Sequence, residues 1–337
     1  EIPNNYNGKF NFNSYGYNKN YNTNIFESVL TNNFLYSSDQ FINAKGIVSN
    51  YELLLKNNNS YSKNSSSFKE DWQYDLFSTF KFDSSLPMAK ITTDYTNYLT
   101  PRISFRYSPN GNSDISSKNI LLNYNNVFSL NRISTDSEVE GGESLSLGLE
   151  FKRDNISGFN NFDFKIANNL RFNENRQLPS KSKLNKTRSD IFGNLNYKFN
   201  KDFKIGYFFS YDRDLEYSNL EQINFEYGVN NFFTNFSYYT ENNDIGDLEI
   251  INNFSRYELD NENIISFEVN KDLKDDFTQY YNVIYTYETD CISMNFNYNK
   301  TFFRDGNLEP NKSLSFLIKI IPFTELGVKN IENLIDN

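Results

Sequence analysis

Cys291-Ile292-Ser293-Met294-Asn295-Phe296-Asn297-Tyr298-Asn299 puts an apolar residue at every second position, with Ser or Asn between. A period of two is the mark of a β-strand with one greasy and one wet face. The same beat runs through Leu145, Leu147, Leu149 and Phe151 against Ser144, Ser146, Gly148 and Glu150. It returns in Ile205, Tyr207, Phe209 and Tyr211 against Lys204, Gly206 and Ser210, and in Ile265, Phe267 and Val269 against Ser266, Glu268 and Asn270. The last instance sets Leu314, Phe316, Ile318 and Ile320 against Ser313, Ser315 and Lys319. So many half-apolar strands must bury their greasy faces either in a dry sandwich core or in a lipid bilayer.

Composition favours the bilayer. Of 337 residues 33 are Phe and 25 Tyr, giving 18% aromatic, yet total hydrophobic content is only 38% and mean hydropathy is -0.68. A soluble core draws on Leu, Val, Ile and Ala. A membrane barrel needs aromatics for its lipid-facing band and girdles, and polar residues for its interior. No run approaches the roughly 18 apolar residues of a spanning helix, and Lys319 and Pro322 break the segment Ile318–Phe323. The net charge of -10 and isoelectric point near 4.8 argue against nucleic-acid binding, which needs basic patches. With no His and one Cys, Ser-His-Asp triads and most zinc sites are excluded. We expect no enzyme, no cofactor and no metal site; the acidic runs Asp136, Glu138, Glu140, Glu143 and Asp272, Asp275, Asp276 read as solvated loops. The chain opens on Glu1 without a charged-then-apolar leader, and is expected to be a processed product or a piece of a longer one.

Roughly sixteen to eighteen strands are predicted, more than one sandwich uses. Among them are Gln40–Leu55, Lys90–Tyr98, Pro101–Tyr107, Leu121–Leu130 and Ser313–Ile321. Turn formers at Asn200–Asp202, Asp260–Asn263 and Glu288–Asp290 suit tight hairpins. Longer polar loops are expected at Asn57–Asp71, Pro109–Lys118, Ile133–Gly142 and Asn173–Arg188, the asymmetry of an outer-membrane barrel. The fold class is therefore all-β: an antiparallel transmembrane outer-membrane β-barrel over residues 1–323, either complete or part of a larger barrel, with a tail at 324–337 and a short helix at Lys329–Asn337. Arg102 and Arg106 alternate with Ile103, Phe105 and Tyr107, so both should face the lumen, where they meet either lumen carboxylates or the phosphates of a passing solute.

Four segments together resemble the lipopolysaccharide-assembly (LptD, organic-solvent-tolerance) family of the Gram-negative outer membrane. These are Leu99-Thr100-Pro101-Arg102 running to Tyr107-Ser108-Pro109; Phe128-Ser129-Leu130-Asn131-Arg132 followed by Gly141-Gly142 and Leu145-Ser146-Leu147-Gly148; Tyr287-Glu288-Thr289-Asp290-Cys291; and the closing strand around Ser313–Phe316. The resemblance spans roughly Tyr98 to Phe323 in order, while the first ~90 residues match in texture alone. It implies the family's C-terminal barrel portion in the cell outer membrane, moving lipopolysaccharide to the outer leaflet through a lumen and a lateral seam. It implies that Cys291 bonds a cysteine of an N-terminal periplasmic domain outside these residues; Ile292 stands where some members carry a second cysteine. It also implies that Leu314, Phe316, Ile318 and Ile320 lie on the seam strand, and that the partners are lipopolysaccharide, outer-membrane lipids, periplasmic bridge proteins and a plug lipoprotein. A porin-type diffusion channel shares the alternation and differs at the seam and the Cys. A secreted β-solenoid or adhesin, and more remotely a hydrolase barrel, stay open on the residues alone.

Overall fold

The computed structural model describes residues 2–3, 7–21, 24–65, 70–109, 114–133, 138–156, 160–243, 245–302, 311–320 and 324–327. The expected helix at Lys329–Asn337, Asp136 of the first acidic run and the end of the last predicted strand at Ile321 lie outside them. The strands are β1 (Ile2–Pro3), β2 (Gly8–Tyr21), β3 (Ile25–Ser38), β4 (Phe41–Ile42), β5 (Val48–Lys63), β6 (Gln73–Ser85), β7 (Met88–Ile91), β8 (Tyr95–Ser108), β9 (Gly142–Asn155) and β10 (Asn160–Arg171). There follow β11 (Arg188–Lys198), β12 (Phe203–Tyr211), β13 (Ser218–Val229), β14 (Phe232–Glu241), β15 (Leu248–Glu258), β16 (Asn263–Asp272), β17 (Phe277–Glu288), β18 (Ile292–Thr301), β19 (Lys312–Ile320) and β20 (Thr324–Gly327). The chain is all-β and antiparallel. It divides into two compact units, residues 1–194 with 210–218, and 195–209 with 219–337.

In the first unit β2, β3, β5, β6, β8, β9 and β10 pair in succession, with β1 on β2, β4 on β5 and β7 on β8. The two faces of this sheet are inverted relative to a soluble protein. Leu53 and Leu55 of β5, Ile103 of β8 and Leu147 of β9 are 36%, 39%, 43% and 41% exposed, whereas Lys81, Arg106 and Ser146 on the opposite face are 6%, 3% and 3% exposed. Water would drive the leucines in and the lysine out. The register keeps each face continuous: Phe82 opposes Phe105, Ile103 opposes Leu147, and Pro101 opposes Leu149.

Four expectations change. Gln40–Leu55 is not one strand: β4 ends at Ile42, Asn43 makes a turn by accepting from Lys45 N and Ile47 N at its Oδ1, and β5 begins at Val48. Lys90–Tyr98 is broken by a turn at 92–94, where Thr92 N donates to Tyr95 O at 2.8 Å: Lys90 and Ile91 end β7, while Tyr95–Tyr98 begin β8, which runs on through Pro101 and takes in Pro101–Tyr107. The stretch Asn57–Lys63, read as loop, continues β5. Its two faces are both Asn and Ser-rich, so no polarity contrast marks it: Asn58, Ser60 and Ser62 are buried while Asn57 and Asn59 bond each other. Leu121–Leu130, read as a strand, instead forms turns, with Val127 N donating to Asn123 O and Ser129 N to Asn126 O. Asn123 explains this: its Oδ1 accepts from both Asn125 N and Asn126 N, the local bond by which Asn competes with a ladder.

In the second unit β13 to β20 pair in succession. Phe296 opposes Phe316 with ring centroids 4.6 Å apart, and both are exposed. The other face carries Asn297 against Ser315, and Tyr280 and Asn282 donating to Glu268 at 2.8 and 3.1 Å. Its hairpins 230–231, 259–262 and 289–291 leave one end and 242–247 and 273–276 the other. Asp260 makes the turn at 259–262 by accepting from Glu262 N and Asn263 N.

Candidate functional site

The polar face of the first unit is covered by the chain itself. Residues 114–133 and 138–141, from the connection between β8 and β9, lie across it beside 172–187, the connection between β10 and β11. Ile115, Leu122, Tyr124, Val127, Phe128 and Ile133 pack with Leu178 and Leu184 and with Ala167 and Phe192 of the sheet. Val139, wholly buried, joins Leu54 and Phe77 in a second cluster. Ile115 N donates to Gln177 O at 2.9 Å and Leu122 N to Ser182 Oγ at 3.0 Å, tying the two connections together.

A segment laid on a sheet face has carbonyls without ladder partners, and a buried carbonyl needs a donor. The sheet supplies cations and hydroxyls. Lys81 Nζ donates to Phe128 O at 3.0 Å, Arg106 Nε to Leu130 O at 2.8 Å, Arg171 Nη2 to Gly141 O at 2.6 Å and Ser146 Oγ to Val127 O at 3.0 Å. Arg106 also donates to the Glu140 carbonyl.

Arg132 and Glu140 form the centre. Arg132, 1% exposed, directs all five N–H groups to acceptors: Glu140 Oε2 at 2.7 Å, Glu140 Oε1, Ser144 Oγ at 2.8 Å, Ser146 Oγ at 3.3 Å and Asn169 Oδ1. Arg171 donates to Glu140 Oε1, and Arg106 Nη1 lies 3.8 Å from it. Burial opposes the Glu140 charge, but Arg132, Arg106 and Arg171 outweigh it and hold the carboxyl down at about 2. Tyr124 donates to Glu150 Oε1 at 2.5 Å; burial first, then that carboxylate, push its hydroxyl far up.

The two arginines expected in the lumen both stand on the covered face. Arg102 forks onto Asp83, Nε to Oδ1 at 2.9 Å and Nη2 to Oδ2 at 2.6 Å, and lies over the Phe128 ring at 4.2 Å. Arg106 belongs to the Glu140 cluster. Cys291 and β19 belong to the second unit. Cys291 is exposed with a free thiol, in the turn between β17 and β18. On β19, Leu314, Phe316 and Ile320 are exposed, and the strand pairs with β18 along its length and with β20 over Leu317–Ile320. Sequence reading put Glu140 in a solvated acidic run, but it is wholly buried because three arginines of the covered face compensate its charge; it did not single out Lys81, Arg132 or Arg171 as a site. Lys81 and Arg171 stand as lone charges among Phe80, Phe82, Leu170 and Phe172, a signal that marks a polar face without saying what covers it.

Phe128 and Arg132 follow one another at a spacing that places one on Gly148 and the other on Glu140, with Gly141 and Gly142 leading into β9. Residues 30–264 match the family model described as LPS transport system D, LptD. The chain belongs to the LptD family. Its sheet is accordingly part of a Gram-negative outer-membrane β-barrel. The LptD match takes in β3 to β7, where texture alone was recognised, and ends before Cys291 and β19. The LPS-assembly protein LptD of Pseudomonas putida (strain W619) is 29% identical over an alignment that covers 40% of this chain and 16% of that protein, so the chain spans a minor part of its relative's length. Among solved structures, a mutant of Rh. blastica porin gives a TM-score of 0.36 at 11% identity, covering 91% of this chain and 98% of that one. A triple mutant of the Rhodopseudomonas blastica porin gives 0.35 at 10% identity over 91% and 98%. Scores this low add nothing to the architecture, which stands on the pairing and on the inverted faces.

Proposed function

We propose that this chain forms part of a barrel wall that passes lipopolysaccharide into the outer leaflet of the outer membrane. The LptD family match carries this reading, and the inverted faces supply its physics. Sugars and phosphates travel along a face of Asn, Ser and charge, while acyl chains leave sideways into lipid at the strand that bears Leu314, Phe316, Ile318 and Ile320. A lateral exit spares the chains any passage through water, and a weakened pairing between strands is tolerated in hydrocarbon only where a function demands it. The partners in this reading are a periplasmic bridge, joined through Cys291 to the part of the protein that carries the matching cysteine, and a plug lipoprotein in the lumen. A porin-type channel fits less well, because the polar face of the first unit is roofed by residues 114–133 and 138–141 rather than left open to solutes.

Depletion of the full-length protein tests the proposal. Newly made lipopolysaccharide should accumulate inside the outer membrane while porin-dependent uptake of small solutes persists; normal surface delivery after depletion would refute it.

A further inference from the structure

Strand register sets the two wall arginines of the Glu140 cluster on one transverse row. Arg106 of β8 opposes Ser144 of β9, and Ser144 opposes Arg171 of β10. Two strand spacings separate their backbones by about 10 Å, and the small serine between leaves a gap into which both guanidiniums reach. Glu140 fills that gap, but incompletely. Three guanidiniums meet one carboxylate, leaving two positive charges in excess, and two donors find no acceptor: Arg106 Nη1 and Arg171 Nε. Both side chains are at least nine-tenths buried. A buried charged donor without an acceptor is costly and marks a site built for more acceptor atoms than the resident ligand brings. Beside it, a cavity of about 380 Å³ is lined by Arg171, Ser108, Gly142, Glu143, Asn173 and Glu174 among others.

We propose that Arg106 and Arg171 form a phosphate site on the lumen face, occupied in the resting protein by Glu140, and that an incoming phosphate monoester displaces the carboxylate and frees the stretch Glu138–Gly141. Charge balance supports the exchange. A phosphate monoester carries about -1.5 to -2 charges at neutral pH and three acceptor oxygens, which matches two guanidiniums and their idle donors. The displaced Glu140 remains neutralised by Arg132, to which it is bonded through both oxygens. The resting cluster has an excess of two positive charges, and after exchange both halves are close to neutral. Glu143 and Glu174 on the neighbouring cavity repel anions, so occupancy requires both arginines together. This deepens the transport reading and rests on it for the source of the phosphate, a glycolipid in the lumen.

The test uses full-length protein in proteoliposomes, with Cys291→Ser and Val139→Cys, and follows modification by a water-soluble maleimide. Val139 is wholly buried, so labelling reports release of its stretch. Vesicles containing phosphorylated lipid A should speed labelling about tenfold, and the same lipid after dephosphorylation should not. Acceleration by inorganic phosphate alone would assign the same site to free phosphate. Equal acceleration by the dephosphorylated lipid, or none by any phosphate, overturns the site. Arg106→Gln with Arg171→Gln should abolish the response in protein whose heat-modifiable gel mobility confirms a folded barrel. Should that variant not fold, Glu140→Gln serves: it should label fast without lipid and gain nothing from phosphate, and slow basal labelling would refute the exchange. Normal lipopolysaccharide delivery on depletion, together with a phosphate response of the Val139→Cys protein, would sink the transport reading and leave the site standing.

Discussion

Phe128 occupies the space that a side chain at position 148 would take: a Cβ on Gly148 would lie 2.5 Å from Phe128 Cζ. The contact gives a physical reason for the glycine in Leu145-Ser146-Leu147-Gly148. Any larger residue lifts the covering segment from β9. Gly148→Ala should cost about 1–3 kcal/mol through overpacking and raise protease cleavage within 109–141. Gly148→Ala combined with Phe128→Leu should recover much of the loss, measured by the same cleavage rate.

Arg132→Met removes five hydrogen bonds from one buried node and leaves Ser144, Ser146 and Asn169 short of a donor. Glu140 keeps Arg171 and Arg106, so the cost is that of the buried acceptors left unpaired, about 1–3 kcal/mol each. Thermal loss of heat-modifiable mobility should move well below that of the parent protein. Arg132→Lys should not restore it, since an ammonium cannot reproduce the planar fork.

Glu140 gives the attachment of the segment a defined pH dependence. Its carboxyl is depressed from an ordinary 4.5 to about 2 in the folded protein. A depressed carboxylate contributes stability that is complete above its unfolded pKa and is lost as pH falls through the folded one. The segment should therefore stay in place from neutral pH down to about 4.5 and loosen between there and about 2, losing on the order of 3 kcal/mol. Cleavage of the segment by pepsin, which is active across this range, measures it, and Glu140→Gln should remove the pH dependence.

On the lipid side, Ile103→Arg puts a guanidinium among Phe82, Phe105 and Leu147. It should destabilise the barrel by up to about 2–4 kcal/mol. Ser315→Lys, on the opposite face of β19, should change urea unfolding little. Equal costs at both positions would contradict the assignment of faces.

Cys291 is exposed and should react readily with a water-soluble maleimide in the isolated chain. In full-length protein from native membranes the thiol should be blocked, and reduction should shift the band on non-reducing electrophoresis. Cys291→Ser should abolish the shift.

Period-two alternation by itself determined that this chain is made of two-faced β-strands, because side-chain direction along a strand depends only on neighbouring residues, and the aromatic-rich, otherwise polar composition pointed those faces to a bilayer. It failed where that local contrast disappears, in the Asn- and Ser-rich end of β5, and where Asn123 turns an apparently alternating run into turns. Arg102 and Arg106 could be assigned to the polar face from their spacing alone. What only the tertiary structure decided is which of the polar-face residues meet. Arg106, Ser144 and Arg171 share a row because of the register between three strands, and Arg132 and Glu140 arrive there on a connection folded back over the sheet. Register and the path of a covering segment depend on contacts between residues distant in the chain, and no local pattern encodes them.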